Sequence, residues 1–259
     1  MPFSDTEPLL ICEQMTKRFG GLSALKSIDV SFAAGGITGI IGPNGSGKTT
    51  LFNVISGVYT PTSGRVIFRG EDITHLAPHR VTIKGIARTF QNIRLFWNLN
   101  VVEHVLIGMH PRIKGMEMIR DALPGHAAKG IEKLSGELLN FVGLYEKREQ
   151  MARNLPYGEQ RKLEVARALA TNPQVLLLDE PAAGMSLKEA RELMDLFLKL
   201  KEMGKTLLVI DHNMKVIMNL VDTVVVLSSG EKIAEGTAAE IQRNESVIKA
   251  YLGEKHNHS

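Results

Sequence analysis

Three stretches of the chain are apolar at every or nearly every position: Ile37–Ile41, Val175–Leu178 and Leu207–Ile210. Runs this short, apolar on both faces, predict strands buried inside a parallel sheet. Each is followed by a turn and then a helix-like segment: Thr49–Ser56, Leu187–Met203 and Asn213–Leu220. That succession predicts an α/β core with helices on both sides of the sheet. Ile28–Phe32, Arg65–Phe68, Thr223–Leu227 and Lys232–Glu235 alternate or lie beside glycine turns, and these predict antiparallel strands. Between Asn92 and Asn154 the period changes. Glu103–Met109 and Lys129–Val142 carry apolar residues at helical spacing, separated by a polar, broken stretch from Pro111 to Gly125. A helical insert within the core is predicted there. No internal repeat is visible.

Composition changes this picture little. Of the 259 residues 44% are hydrophobic and 23% charged, an ordinary globular balance. Net charge is +3, spread without a basic run, and aromatics are 5%, so neither a nucleic-acid arm nor a base-stacking platform is indicated. Cys12 is the single cysteine and fits a reducing compartment. The N-terminus lacks the pattern of a signal peptide, and no apolar run approaches the roughly 20 residues that cross a bilayer. A cytoplasmic protein is expected, held at a membrane only through a partner. The tail, Lys255–Ser259, carries two histidines and is expected to be a solvated end.

The turn after the first buried strand carries the chemistry. Gly42-Pro43-Asn44-Gly45-Ser46-Gly47-Lys48-Thr49 has the spacing of a phosphate-binding loop, with Thr50 continuing into the helix. Glycines let backbone N–H groups turn toward phosphate oxygens, and the helix adds its positive end. Lys48 supplies a point charge for the β- and γ-phosphates, and Thr49 a hydroxyl for Mg²⁺. Val175–Leu178 ends in Asp179-Glu180. A buried strand ending in paired carboxylates beside such a loop suits Asp179 to the metal and Glu180 to polarising the attacking water. The expected ligands are ATP and Mg²⁺.

The order of these motifs resembles the ATP-binding subunits of ABC transporters over nearly the whole chain. The resemblance implies a single ATPase domain, with residues 1–91 and 156–259 forming the α/β core, an antiparallel β subdomain included, and residues 92–155 the helical subdomain. It implies that Phe19 stacks on adenine, that Gln91 touches Mg²⁺ and senses the membrane partner, and that His212 meets the γ-phosphate. The family's signature, Leu-Ser-Gly-Gly-Gln, is matched by Leu155-Pro156-Tyr157-Gly158-Glu159-Gln160. Pro156 stands where the family has a serine, and Ser186 where it has an aspartate. Tyr157, Gly158 and Glu159 are then expected to meet nucleotide held by a second chain. Leu155–Gly158, Ala182–Gly184 and Val247–Gly253 are similar to the branched-chain amino-acid uptake ATPases.

The partners this implies are a second ATPase chain, identical or paralogous, integral-membrane permease subunits and, indirectly, an extracytoplasmic solute-binding protein. Leu95, Phe96 and Trp97 are expected either to form an exposed apolar patch that receives the membrane subunit or to pack into the core. An export ATPase of the lipopolysaccharide type and a soluble ABC ATPase are the alternatives. The latter class typically has a long coiled coil or two cores in one chain, and this chain has neither. A phosphate-loop GTPase is opposed by the absence of an Asn-Lys-x-Asp stretch.

Overall fold

The computed structural model describes residues 8–120, 126–211 and 218–255. In chain order the strands are β1 (Leu10–Phe19), β2 (Leu22–Phe32), β3 (Ile37–Ile41), β4 (Ser63–Phe68), β5 (Glu71–Asp72), β6 (Ile86–Arg88), β7 (Val175–Asp179), β8 (Thr206–Ile210), β9 (Thr223–Ser228) and β10 (Glu231–Gly236). The helices are α1 (Lys48–Ile55), α2 (Pro78–Lys84), α3 (Val101–Arg120), α4 (His126–Phe141), α5 (Tyr157–Ala170), α6 (Leu187–Glu202), α7 (Ala238–Arg243) and α8 (Glu245–Lys255).

Two sheets share the strands. One is antiparallel, in the order β2-β1-β4-β5, and the other runs β10-β9-β3-β8-β7-β6. β7 and β8 are buried at every residue. Both lie inside the parallel part of the second sheet, where each face must be covered. Side-chain alternation divides the core accordingly. Val175, Leu177, Leu208 and Ile210 face a layer containing α1 and the antiparallel sheet. Leu176, Leu178, Leu207 and Val209 face α5, α6 and the helices of the insert. Helix α1 is thus held between the two sheets, with Leu51, Phe52 and Ile55 buried.

Several expectations are corrected. Thr223–Leu227 is not simply an antiparallel strand: β9 pairs parallel to β3 and antiparallel only to β10. Its four central residues, Val224–Leu227, are buried, which suits the interior of a sheet rather than an edge. The stretch from Pro111 is not broken at its start, because α3 continues through Pro111 to Arg120. A proline inside a helix removes one backbone hydrogen bond and costs about 3 kcal/mol. The buried anchors Val101, Val105 and Met109 hold the preceding turns in place. Most of the helix expected over Asn213–Leu220 lies outside the described residues, as do residues 256–259 of the tail. Strands β1 and β6 carry no expectation from the pattern. β1 slips register between Cys12 and Met15, with Gln14 in a left-handed conformation, so its alternation is interrupted.

Candidate functional site

The phosphate loop connects β3 to α1 and is wedged against two neighbouring segments. Gly42 has φ +150°, and a Cβ there would stand 2.0 Å from the carbonyl oxygen of Leu227. Gly47, which caps α1, has φ +106°, and a Cβ there would stand 2.6 Å from the Ala24 carbonyl oxygen. No other residue type fits either place without moving backbone. The first turn of α1 carries no acidic residue, so its positive end faces the loop uncompensated. Lys48 folds across the loop, donating from Nζ to the carbonyl oxygens of Gly42 at 2.7 Å and Pro43 at 2.8 Å. Ser46 is buried, Asn44 and Gly45 are exposed, Thr49 is exposed on the first helical turn, and Thr50 is half-buried.

The end of β7 lies beside this loop. Asp179 is buried and accepts from Nη2 of Arg88 at 3.0 Å. Arg88 also donates from Nη1 to Oδ1 of Asn53 at 2.6 Å and to Oγ of Ser56 at 3.2 Å, both on or just after α1. One guanidinium therefore ties β6, β7 and the phosphate helix together. Burial pushes the Asp179 carboxyl above its ordinary value, and the hydrogen bond and charge of Arg88 oppose that rise. Glu180 sits in a left-handed conformation, with its N–H donating to the Ile210 carbonyl oxygen at 2.8 Å. Its Oε2 accepts from Nε2 of Gln91 at 3.0 Å. Two residues far apart in the chain are thereby brought together.

Phe19 ends β1 with 42% of its surface exposed. Its ring meets Tyr59 edge-on at 5.2 Å, and Nζ of Lys17 lies 5.0 Å from its centroid. That leaves an open aromatic face of the kind a purine can stack on. His212 lies outside the described residues.

Tyr157, Gly158 and Glu159 form the first turn of α5, with Pro156 at the N-cap and no side-chain cap. Within one chain they are tied to segments other than the phosphate loop. The Tyr157 hydroxyl donates to the Ala183 carbonyl oxygen at 3.1 Å. Gly158 packs against the Glu189 carboxylate, whose Oε1 would stand 2.5 Å from a Cβ placed there. Glu159 accepts from Nζ of Lys147 at 2.6 Å. Ser186 is the N-cap of α6 and makes a reciprocal capping box with Glu189.

Arg88, Asn53, Tyr59 and Glu189 escape a reading of the sequence. Arg88 ends a strand of three residues, too short to show a period, and its partners come from two distant segments, the phosphate helix and the end of β7. Only the capping spacing Ser186-x-x-Glu189 carries a local signal, and it marks a helix start rather than a site.

A glycine-walled phosphate loop opening an α/β core, with a buried aspartate and a glutamine-held glutamate at the end of the neighbouring strand, defines a phosphate-loop nucleoside triphosphatase. Comparison narrows this: residues 25–183 match the model of the ABC transporter family. The chain belongs to that family, as its ATP-binding, ATP-hydrolysing subunit. Residues 231–257 further match the model described as "Branched-chain amino acid ATP-binding cassette transporter". The high-affinity branched-chain amino acid transport ATP-binding protein LivG of Escherichia coli (strain K12) is 39% identical over 253 residues, 96% of this chain and 99% of that protein. A nucleotide-free ATP-binding cassette from an ABC transporter superposes with a TM-score of 0.83 at 33% identity, covering 95% of this chain and 99% of that one. A second cassette, solved as a dimer in a post-hydrolysis state bound to ADP and Pi, gives a TM-score of 0.74 at 27% identity, covering 88% and 98%.

Proposed function

We propose that the chain hydrolyses ATP with magnesium at a site shared by two chains, and so energises uptake of branched-chain amino acids through membrane subunits. The observation that carries the hydrolytic part is Glu180 beside the phosphate loop with its carboxylate held by Gln91 at 3.0 Å. The loop N–H groups and Lys48 bind the β- and γ-phosphates and neutralise charge that shifts during phosphoryl transfer. Lys48 exchanges its present carbonyl partners for phosphate oxygens as the nucleotide enters. Glu180 accepts a proton from the attacking water, and Gln91 orients the carboxylate that does so. Phe19 stacks on the adenine. His212 serves the γ-phosphate, an assignment that rests on the resemblance.

The donor set fits a hard divalent cation. Among the described residues no group of three or more His, Cys, Asp or Glu side chains is gathered to hold a metal. Thr49, Gln91 and Asp179 would hold magnesium jointly with phosphate oxygens, which suits an ion that keeps few protein ligands. When bound, the ion supplies charge for the bridging phosphate oxygens.

The second chain, identical or paralogous, contributes Tyr157, Gly158 and Glu159 to the same nucleotide. The dimer solved for a related cassette supports this arrangement. Core 1–91 and 156–259 and insert 92–155 are assigned separate tasks, the core to nucleotide and the insert to the permease. Phe96 and Trp97 are exposed and available to a permease, whereas Leu95 is buried and belongs to the core. Among the described residues no helix is long and apolar enough to cross a membrane. The chain works on the cytoplasmic side as a peripheral subunit, and the extracytoplasmic solute-binding protein acts on it only through the permease. The branched-chain substrate is supported by the match over residues 231–257 and by LivG.

The test is Glu180→Gln. Hydrolysis should fall by about 10²-fold or more, the usual scale for losing general-base assistance. ATP binding should persist, and ATP should accumulate a dimer on size-exclusion chromatography. Undiminished hydrolysis would remove Glu180 from the base role. Reconstitution with the membrane subunits should give ATPase stimulated by leucine-loaded binding protein. No response to leucine, isoleucine or valine would overturn the substrate.

A further inference from the structure

The first turn of α5 has few free donors. The N–H groups of Glu159 and Gln160 both donate to the Pro156 carbonyl oxygen at 3.0 Å. Pro156 has neither a hydroxyl nor an N–H to offer. The amide of Gly158 is therefore a principal donor that this helix start can present outward. In the single chain a carboxylate already stands against that residue. Glu189 lies directly on Gly158: a Cβ there would stand 2.5 Å from its Oε1 and 2.9 Å from its Cδ. The other oxygen, Oε2, accepts from the Ser186 N–H at 2.9 Å and the Ser186 hydroxyl at 2.7 Å. One carboxylate thus closes the start of α6 and covers the start of α5. The same two helices are joined by Lys162 and Glu192 at 2.7 Å. The Tyr157 hydroxyl adds a bond to Ala183, in the segment that leads into α6. The latch is therefore held at three places.

We propose that Glu189 is an internal anion occupying the start of α5 in the separated chain, where the partner's γ-phosphate has to arrive. This rests on the two-chain site proposed above. Closing the dimer requires the carboxylate to leave Gly158 or to sit beside a phosphate of the same sign. Either event raises the ATP concentration needed for pairing. Release of Glu189 also frees one arm of the α6 capping box, so arrival of the γ-phosphate is felt in the segment that follows Glu180. The contact is an inhibitory latch opened by the partner's nucleotide.

The experiment titrates ATP-dependent dimerisation by light scattering in a Glu180→Gln background. Glu189→Gln keeps the length and a capping oxygen but removes the charge that stands against Gly158. It should lower the ATP concentration for half-dimerisation by about ten-fold, the scale of relieving one like-charge contact at an interface. Glu189→Ala should shift it in the same direction. Ser186→Ala removes a capping hydroxyl while leaving the charge, and should not lower it. An unchanged or higher ATP requirement in Glu189→Gln and Glu189→Ala chains with wild-type melting curves would overturn the latch while leaving the two-chain site standing. Failure of the Glu180→Gln parent to dimerise at any ATP concentration would overturn that shared site, and the latch with it.

Discussion

Arg88 and Asp179 are both almost fully buried, with 7% and 5% of their side chains exposed. A buried pair adds little net stability when intact, but removing one partner leaves an uncompensated charge. Arg88→Met is therefore expected to cost about 3–5 kcal/mol in urea unfolding. A loss under about 1 kcal/mol would mean that Asp179 finds another partner. The cost should depend on pH in a definite sense. Burial already places the folded Asp179 carboxyl above its unfolded value, and without Arg88 it rises further. The variant's deficit should be small in acid, where Asp179 is protonated in both states. It should grow as pH rises through the folded value. Cys12 behaves differently: it is fully buried and its thiol is pushed up to about 12. Native protein at pH 8 should resist iodoacetamide, with alkylation following unfolding in urea; labelling at the rate of a free thiol would contradict that burial. Residues whose chemistry is set by backbone shape are legible in the sequence. Gly42 and Gly47 each stand where a Cβ would strike backbone, so their spacing is diagnostic. Arg88 is illegible because its role depends on Asn53, Ser56 and Asp179 meeting around it.

At the scale of elements the same division holds. Strands β7 and β8 are readable because both faces are apolar, and α6 because an apolar stripe follows a capping box. Strand β1, the centre of the antiparallel sheet, is obscured by its bulge at Gln14. The direction of β9 is invisible locally, since pairing with β3 is decided by the connection and not by composition. Helix α6 follows Glu180, so its start anchors the segment that carries the proposed base. Ser186→Ala deletes the hydroxyl that accepts from the Glu189 N–H. It should cost about 1 kcal/mol, the usual price of losing an N-cap. In a chain of this size that lowers the melting temperature by about 2–4 °C. An unchanged melting temperature would show that Glu189 alone secures the start of α6.

Across the whole molecule the two hydrophobic clusters assign different tasks to the two faces of one sheet. One face carries α1 and the phosphate loop. The other carries α5, α6 and the insert, including Leu95 and Val101. Gln91 leaves the edge strand β6 and reaches Glu180, and five and six residues further on the chain exposes Phe96 and Trp97. Leu95 fixes this segment to the core while its neighbours project, which is why an unbroken apolar triplet in the sequence divides in space. Arg167 on α5 lies 5.8 Å from the Phe96 ring, and His104 on α3 accepts from the Phe96 N–H at 2.9 Å. The exposed rings are therefore braced by the helices behind them. A surface of that kind suits a partner, and movement there has a short covalent path to Gln91. Phe96→Ser with Trp97→Ser should leave the melting temperature and ATP-dependent dimerisation of the chain as they are, because neither ring fills the core. In a transporter assembled from co-expressed membrane subunits, the same double variant should lose association or substrate-stimulated ATPase by about ten-fold or more, the scale of removing aromatic anchors from an interface. Association and stimulation at wild-type levels would place the permease on another face of the chain. A collapse in melting temperature would instead show that the two rings belong to the insert's own packing. The pair of measurements separates a docking surface from a structural one, which neither the apolar pattern nor the exposure of the rings does alone.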